Sequence, residues 1–458
     1  MPPSSYRFSP KYTMPLYRFL FFVLPLVLSL LPTSVAIAQE APLLSLEEAI
    51  NLALANNHQV QLRRIETRIS ANNVNPAVVG KAPQLNLNAS YELGWSTTET
   101  ETLPLGPGEN EPFNLDGISN SLFISPEISW LLLDGKASFF RLEQLRTADL
   151  ANQLALEQAM ETTVLQVSRL YLQAAQQLSQ RAVLVAGLDL TAERLRRTRT
   201  ANRYGTNLSL LSRQIESNYK TDSIQLVNLD LAVANLKRDL NQLMGRNATL
   251  PFELQTDFFN PNRLSLPPLE AALLEQNTLL ELQQRQLEVA KYDQELTQSA
   301  FRPSLSAYAN VSFAYLQDDA NFLQSNRALG PNVGLRFQLP ISDGGARRIN
   351  AENATMAIQL RELELEELRM ALLKDLRNAY ASYEAQLEAL AIEQENLSVF
   401  EENLTFTENS FQQGTSNNLE VRAAQLELLS ARERIVGYLF AVCQSELQIA
   451  YLAGLILE

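Results

Sequence analysis

The stretch from Asn332 to Arg348 reads N-V-G-L-R-F-Q-L-P-I-S-D-G-G-A-R-R, and its period changes partway along. Val333, Leu335, Phe337, Leu339 and Ile341 fall on one parity; Asn332, Gly334, Arg336 and Gln338 fall on the other. A period of two marks a strand with one apolar and one polar face. At Ser342-Asp343-Gly344-Gly345 the alternation stops. Asp343 or Ser342 suits a helix start, and the glycines permit a sharp turn before it. No proline or glycine follows until Gly414, so a strand feeds directly into a very long helix.

The same junction occurs earlier. Leu122, Ile124, Ile128, Trp130 and Leu132 share one parity in a strand-like run, and Asp134-Gly135-Lys136 then opens another long stretch without proline. The two Asp-Gly pairs are 209 positions apart, and that offset also carries Tyr171 to Tyr380, Gly205-Thr206 to Gly414-Thr415 and Gly245 to Gly454. Upstream, an offset of 220 carries Leu44 to Leu264, Asn57 to Asn277 and Pro83 to Pro303. The chain reads as a tandem duplication, with a first repeat over 39–246, a linker over 247–264 and a second repeat over 265–458.

Strands are expected at about 83–98, 118–133, 303–316 and 331–341. The first has the cleanest alternation: Leu85, Leu87, Ala89, Tyr91, Leu93 and Trp95 against Asn86, Asn88, Ser90, Glu92, Gly94 and Ser96. About ten residues is the length that a tilted transmembrane strand needs. Tyr91, Trp95, Trp130, Phe313 and Tyr315 lie on the apolar parity, as interfacial aromatics would. The polar segments Glu99–Gly117 and Gln317–Pro331 between paired strands read as water-exposed loops.

Helices are expected at about 45–80, 136–202, 208–245, 266–300, 346–411 and 417–454. Ser45 with Glu48 makes a capping box at the first. The two longest would each extend roughly 100 Å. Leu365, Leu368, Leu372, Leu376, Ala379, Tyr383, Leu387 and Leu390 recur at steps of three and four, a coiled-coil seam. Two short helices placed end to end match one long helix, so each repeat pairs a long helix with two stacked short ones. Four strands do not close a membrane barrel, and open edges cannot face lipid. The barrel must therefore be shared, with eight strands from two copies or twelve from three.

Met1 to Ala38 reads as a secretory signal: Arg7, Lys11 and Arg18, then an apolar core from Phe19 to Leu31, then Ala36-Ile37-Ala38. Met14 is an alternative start. A membrane anchor is the competing reading, but the apolar run is short and prolines 25 and 32 interrupt it. No other segment reads as apolar for long enough to cross a bilayer as a helix. Loss of the leader removes three cations and takes the net charge from −14 to −17, which argues against nucleic acid as a partner. Cys443 is the only cysteine, so there is no internal disulfide and no lipid-bearing cysteine after the signal.

The run Val333–Arg348, the opening L-S-L-E-E-A-I-N-L-A-L-A-N-N at 44–57, the strand entries at Pro83 and Pro303, and the two helical glycine turns resemble the outer-membrane efflux protein (TolC) family. The resemblance covers nearly the whole mature chain. It implies a mostly helical protein with transmembrane β structure. Three copies would form a trimeric channel, with a twelve-stranded outer-membrane barrel continued by coiled-coil helical hairpins in the periplasm. The implied partners are outer-membrane lipid, a periplasmic adaptor (membrane fusion) protein, and an inner-membrane pump or ABC-type secretion transporter. The implied function is the exit duct of a tripartite efflux pump or a type I secretion system.

By that resemblance Tyr204, Gly205, Thr206, Gln413, Gly414 and Thr415 sit at the periplasmic hairpin tips, where an adaptor docks. The plainer reading of the glycines is a helix C-cap in a polar turn. Glu420 falls where the family's closed tip carries a pore-facing acidic ring, and is the gate candidate. The second acidic position is Ala423 here, and the counterpart of Glu420 in the first hairpin is Leu211, so the family's ion-pair network departs at both. Glu420 also reads simply as an exposed helix carboxylate. Asp134, Gly135, Asp343, Gly344 and Gly345 are the strand-to-helix junction residues.

His58, the only histidine, reads as a surface residue, Cys443 as a core residue, and the run Arg361–Arg369 as a solvated helix face. There is no nucleophile elbow, phosphate loop, metal-ligand spacing or glycine fingerprint. The sequence therefore argues against an enzyme and calls for no cofactor and no metal. The competing non-enzyme reading is a periplasmic coiled-coil scaffold whose strands form a small soluble sheet.

Overall fold

A computed structural model describes residues 42–100, 113–204, 208–256, 263–319 and 325–457. The leader lies outside these residues. The order is β1 (Leu43–Leu44), α1 (Leu46–Asn56), α2 (His58–Asn73), β2 (Gln84–Thr100), β3 (Phe113–Asp134), α3 (Ala137–Arg203) and α4 (Ser209–Leu243). It continues with β4 (Glu253–Leu254), α5 (Leu266–Gln276), α6 (Thr278–Ser299), β5 (Ser304–Asp318), β6 (Ser325–Gln338), α7 (Ala346–Gln412) and α8 (Asn418–Ala453). Two sheets are present among the described residues: β1 parallel to β4, and an antiparallel sheet in the order β2-β3-β5-β6.

Neither of the helices expected at 45–80 and 266–300 is continuous. Each breaks at an asparagine, Asn57 or Asn277, and the first also ends at Asn73 rather than near Gly80. The asparagine explains the break. Its side-chain oxygen caps the following helix, accepting from Gln59 N (2.8 Å) in one case and Leu280 N (3.0 Å) in the other. Its amide meanwhile donates to a carbonyl at the end of a distant helix, Leu243 O (3.0 Å) or Leu452 O (2.9 Å). Both asparagines are buried, so each side chain satisfies backbone groups that burial would otherwise orphan. His58, expected near the middle of a helix, opens α2 on the surface.

These contacts recur under the sequence offsets. Leu243 and Leu452 differ by 209, Asn57 and Asn277 by 220. Tyr171 donates its hydroxyl to Leu44 O (2.8 Å), and Tyr380 to Leu264 O (3.3 Å). Gly245 lies on Asn56 O and Gly454 on Gln276 O, each so close that an added Cβ would sit 2.7 or 2.6 Å away. Strand register repeats as well: Gln84 pairs with Ser129 and Leu85 with Ile128, while Ser304 pairs with Gln338 and Leu305 with Phe337.

Two apolar cores lie where these repeats fold back. One gathers Ala53, Val167, Tyr171, Leu240 and Phe252; the other gathers Leu273, Leu372, Leu376, Tyr383 and Ile449, which contains the seam read from the sequence. Cys443 packs beside Phe440, and burial pushes its thiol up to about 12. Helix α8 is itself apolar and long enough to cross a membrane, contrary to the reading that only the leader qualified. It is apolar on more than one face because it packs against α7, α3 and α5.

The strands run further than expected at the loop ends. β3 starts at Phe113 and β6 at Ser325, inside segments read as loops, because ladder pairing continues beyond the apolar band. At the other end β6 stops at Gln338 rather than 341, just before Pro340, which has no N–H to donate.

Helices α3 and α6 meet at a buried carboxylate. Glu161 accepts a hydrogen bond from the Thr278 hydroxyl, and burial raises its carboxyl above the ordinary range. The fold thus favours the protonated form. Its contribution is complete below the ordinary carboxylate range and is lost as pH rises through the raised value. Glu161→Gln keeps an acceptor for Thr278 and removes the charge. It is expected to stabilise the protein at pH 7 by on the order of 1 kcal/mol, with no gain at pH 4, measured by thermal unfolding.

Candidate functional site

Side-chain direction in the four-stranded sheet follows from register. Leu85 pairs with Ile128, Ile128 with Ala309, and Ala309 with Val333, so all lie on one face. That face also carries Leu87, Tyr91, Trp95, Trp130, Phe313, Leu335 and Phe337. Much of it is bare: Leu85, Leu87, Trp95, Leu329 and Val333 are all at least 70% exposed. The opposite face holds Asn88, Ser90, Glu92, Ser129, Asn310 and Asn332. It has its own packing: the Tyr308 ring fills the space left by Gly334 and takes Arg336 above it at 5.3 Å. An apolar face bared this widely on one side of a sheet calls for a non-aqueous neighbour.

β2 and β6 are the edges of this sheet, each with one side of its ladder unpaired. The helices have matching vacancies. On α6, Leu282 is buried against the neighbouring helices, whereas its counterpart Leu62 on α2 is exposed, together with Ile65 and Ile69. On α8, Val436 and Phe440 pack on Leu172 and Ala175 of α3. Their counterparts on α4, Val227 and Leu231, are exposed.

At the strand-to-helix junctions the aspartates act from outside the helix. Asp134 accepts from Ser138 N (2.6 Å); Asp343 accepts from Gly345 N (3.2 Å) and Arg347 N (3.0 Å). The residues at the cap positions themselves are Lys136 and Gly345, both left-handed, and Ser342 takes no part. Gly135 (φ 65°) is fixed twice over, since its carbonyl accepts from Arg302 Nη1 (2.9 Å) and an added Cβ would meet Arg302 at 2.4 Å. Arg347 ties Asp343 (2.8 Å) to the Ala300 and Pro340 carbonyls and holds the Asp343 carboxyl below its ordinary range.

At the far end, Gly205 and Thr206 lie outside the described residues. Tyr204 caps α3 and is 87% exposed. Gln413, Gly414 and Thr415 are exposed, and Gly414 has φ 77°, which lets Thr415 N reach back to Ser410 O (2.9 Å). Glu420 is exposed and completes a capping box: it accepts from Asn417 N (3.2 Å) and from the Ser416 hydroxyl, while Asn417 Oδ1 accepts from Glu420 N (3.1 Å). The Ser416 bond, then the Asn417 N–H, hold its carboxyl below the usual range. With Glu427 it lines an open groove between α7 and α8.

Sequence reasoning missed a polar network just inside the tips. Arg422 on α8 forms a two-pronged ion pair with Asp222 on α4, at 2.9 and 2.7 Å, with both side chains largely buried. Arg194 on α3 donates to Gln425 Oε1 (2.8 Å), and Gln425 donates to the Thr191 hydroxyl (2.9 Å) and Gly187 O (3.2 Å). Gly187 also admits Leu429 into close contact. Together these bonds fasten the first hairpin to the second. Their only sequence signal is that Arg422 and Gln425 interrupt the apolar seam of α8 three residues apart.

The comparisons agree with this geometry. The model of the family described as outer membrane efflux protein matches residues 49–246 and 269–455. The proteases secretion protein PrtF of Dickeya chrysanthemi is 25% identical over 263 residues, covering 56% of this chain and 55% of that protein. The chain thus spans about half the length of that curated relative. The CmeC outer membrane channel of Campylobacter jejuni superposes with TM-score 0.72 at 16% identity, over 89% of this chain and 85% of that one. The open-state MtrE outer membrane channel of Neisseria gonorrhoeae gives 0.67 at 17% identity, over 90% and 89%.

Removing one member of the buried pair leaves the other charge without compensation. Arg422→Met is expected to cost about 3–5 kcal/mol and to loosen the hairpins, read as a lower unfolding temperature and faster proteolysis near the tips. Arg422→Met with Asp222→Leu is expected to recover most of that loss.

Proposed function

Because the chain belongs to the outer membrane efflux protein family, we propose that three copies close a twelve-stranded barrel in the outer membrane and a helical tube in the periplasm. The tube would serve as the exit duct of an efflux or secretion system. The observation that carries this reading is the open β2-β3-β5-β6 sheet with its bare apolar face. Unpaired backbone in hydrocarbon costs several kcal/mol per group, so the edges must find partners.

The duplication supports a particular choice of partners. Within the chain, β3 pairs with β5, and α3 receives α6 and α8. Under the two offsets these contacts become β6 with β2, and α7 with α2 and α4. Those are the edges and faces left bare in one copy, so each copy would present β2, α2 and α4 to the next copy's β6 and α7. The ring repeats a contact that the chain already makes once. The intrachain pairs Ser129–Tyr308 and Ile124–Phe313 become Gln338–Asn88 and Val333–Leu93 between copies, and the apolar parity is preserved. Three copies follow from the twelve strands of the family resemblance.

The hairpin tips then lie at the inner-membrane end, with Tyr204, Gln413, Gly414 and Thr415 as the surface for a periplasmic adaptor and its pump or ABC-type transporter. Exposure, the polar turn and the left-handed Gly414 support that reading. Glu420, repeated by the threefold axis beside them, supplies three like charges for a gate. Its capping bonds hold it ionised near neutral pH, which suits cation attraction. The repeats 39–246 and 265–458 supply the two hairpins of each copy.

Cross-linking and mass test the assembly. Asn88→Cys with Gln338→Cys is expected to cross-link copies under mild oxidant, whereas Glu92→Cys with Gln338→Cys is not. The mass in mild detergent is expected to be that of three chains; a monomeric mass would sink the proposal, and a protein fully soluble without detergent would favour the scaffold.

Gly414→Val places a β-branched residue in left-handed backbone and is expected to impair export more than barrel insertion. Normal export would remove the tip from the docking surface. In single-channel recordings Glu420→Gln is expected to weaken cation preference and divalent block. Unchanged values would assign Glu420 to helix capping alone.

A further inference from the structure

The whole chain carries a net charge of −14, yet each of the four crossings between the four-stranded sheet and a helix is positive. Lys81 is the only charged residue between Asn75 and Gln84, and Arg302 the only one between Ser299 and Gln317. The other two crossings each contain one carboxylate, Asp134 or Asp343, and both carboxylates are turned to helix N–H groups. Beside them stand Lys136 and Arg141 at one crossing, Arg347 and Arg348 at the other.

Lys81, Lys136, Arg302 and Arg348 are exposed. Among the described residues no carboxylate comes within 4.0 Å of Lys81, Lys136 or Arg302, and Arg348 reaches Glu352 only at 3.8 Å. These cations stand at the rim of the apolar band. Trp130, on the outward parity, donates its indole N–H to Lys81 O (3.0 Å), and the Lys81 ammonium lies 5.9 Å from the Phe139 ring centre. Phe139, Phe301 and Ile341 are exposed at the same level of the chain, Ile341 at 91%. Aromatic rings and long cationic side chains placed together at the end of an apolar band suit headgroup depth, where the ring stays dry and the charge reaches outward.

Lys136 adds an independent observation. It is the only non-glycine residue with positive φ among those described (72°), and its counterpart across the duplication is Gly345. Glycine takes this conformation without strain, so the lysine opposes the backbone's own preference.

We propose that this basic collar binds the headgroups of anionic phospholipids in the leaflet facing the helices. The inference rests on the outer-membrane reading above. Charge complementarity selects the occupant: a cationic ring on an acidic protein, set directly against an apolar band, fits negative headgroups anchored by acyl chains.

The test uses the full-length assembled protein in nanodiscs of phosphatidylcholine, with or without one-third phosphatidylglycerol. A Trp95→Phe background leaves Trp130 as the only tryptophan, and headgroup-quencher lipids of either class report on the collar. Stronger quenching by the anionic class is expected, weakening at high salt. Each cation removed is expected to lower the preference about fivefold at low ionic strength. The variant Lys81→Gln, Lys136→Gly and Arg348→Gln should lose the preference while staying assembled, and Lys136→Gly alone should stabilise the protein in zwitterionic lipid. Arg302 and Arg347 are left in place because they hold junction carbonyls.

Equal quenching by both classes, or a triple variant with wild-type preference, overturns the proposal. So does displacement by inorganic phosphate beyond that by chloride at matched ionic strength, since that marks a free-anion site. Quenching by neither class shows that the chain does not insert, and the outer-membrane reading fails instead.

Discussion

A strand set in hydrocarbon has no water to complete its hydrogen bonds, and that constraint organises the rest of this molecule. One chain supplies four strands and leaves two ladders open. In the assembly proposed above, closure would come from other copies, and the copies would have to be arranged by something. The duplication would provide the arrangement, because a joint that fits between two halves of one chain can also fit between two chains. Junctions, helix breaks and apolar cores recur in both halves.

The two halves are alike at some positions and unlike at others. Asn57 and Asn277 perform one operation twice, ending a helix, starting the next and clamping a third. Lys136 and Gly345, by contrast, share a backbone conformation and differ in everything else. The excess length between Pro83 and Asp134 falls in β2, β3 and the segment joining them, whose tip lies outside the described residues. The repeats thus agree at the two buried asparagine breaks and diverge at the exposed Lys136 position.

Much of this was legible in the chain. Strand parity was readable because apolar and polar residues alternate with few exceptions, and the Asp-Gly junctions because positive φ and backbone-directed carboxylates demand those residue types. The breaks at Asn57 and Asn277 were not, since asparagine is only mildly unfavourable inside a helix and no proline or glycine marks the site. Their meaning depends on carbonyls more than 170 positions away. The Arg422–Asp222 pair was hidden for the same reason, its members lying 200 positions apart. Glu420 was readable as an acidic residue near a tip, but its capping role needed Asn417 and Ser416 in place.

The polar fastening near the tips exists on one side only. Arg422 with Asp222 and Arg194 with Gln425 join the two halves of a chain, but the duplication carries those four to Arg213 with Ala431 and Asn403 with Glu216. Ala431 offers Arg213 no acceptor side chain, and Asn403 lacks the guanidinium that Arg194 brings. A ring of three chains would then have six seams that differ alternately in mechanical stiffness, three riveted and three plain. Such a ring, pushed from inside, would yield first at every second seam and would widen as a triangle rather than as a circle.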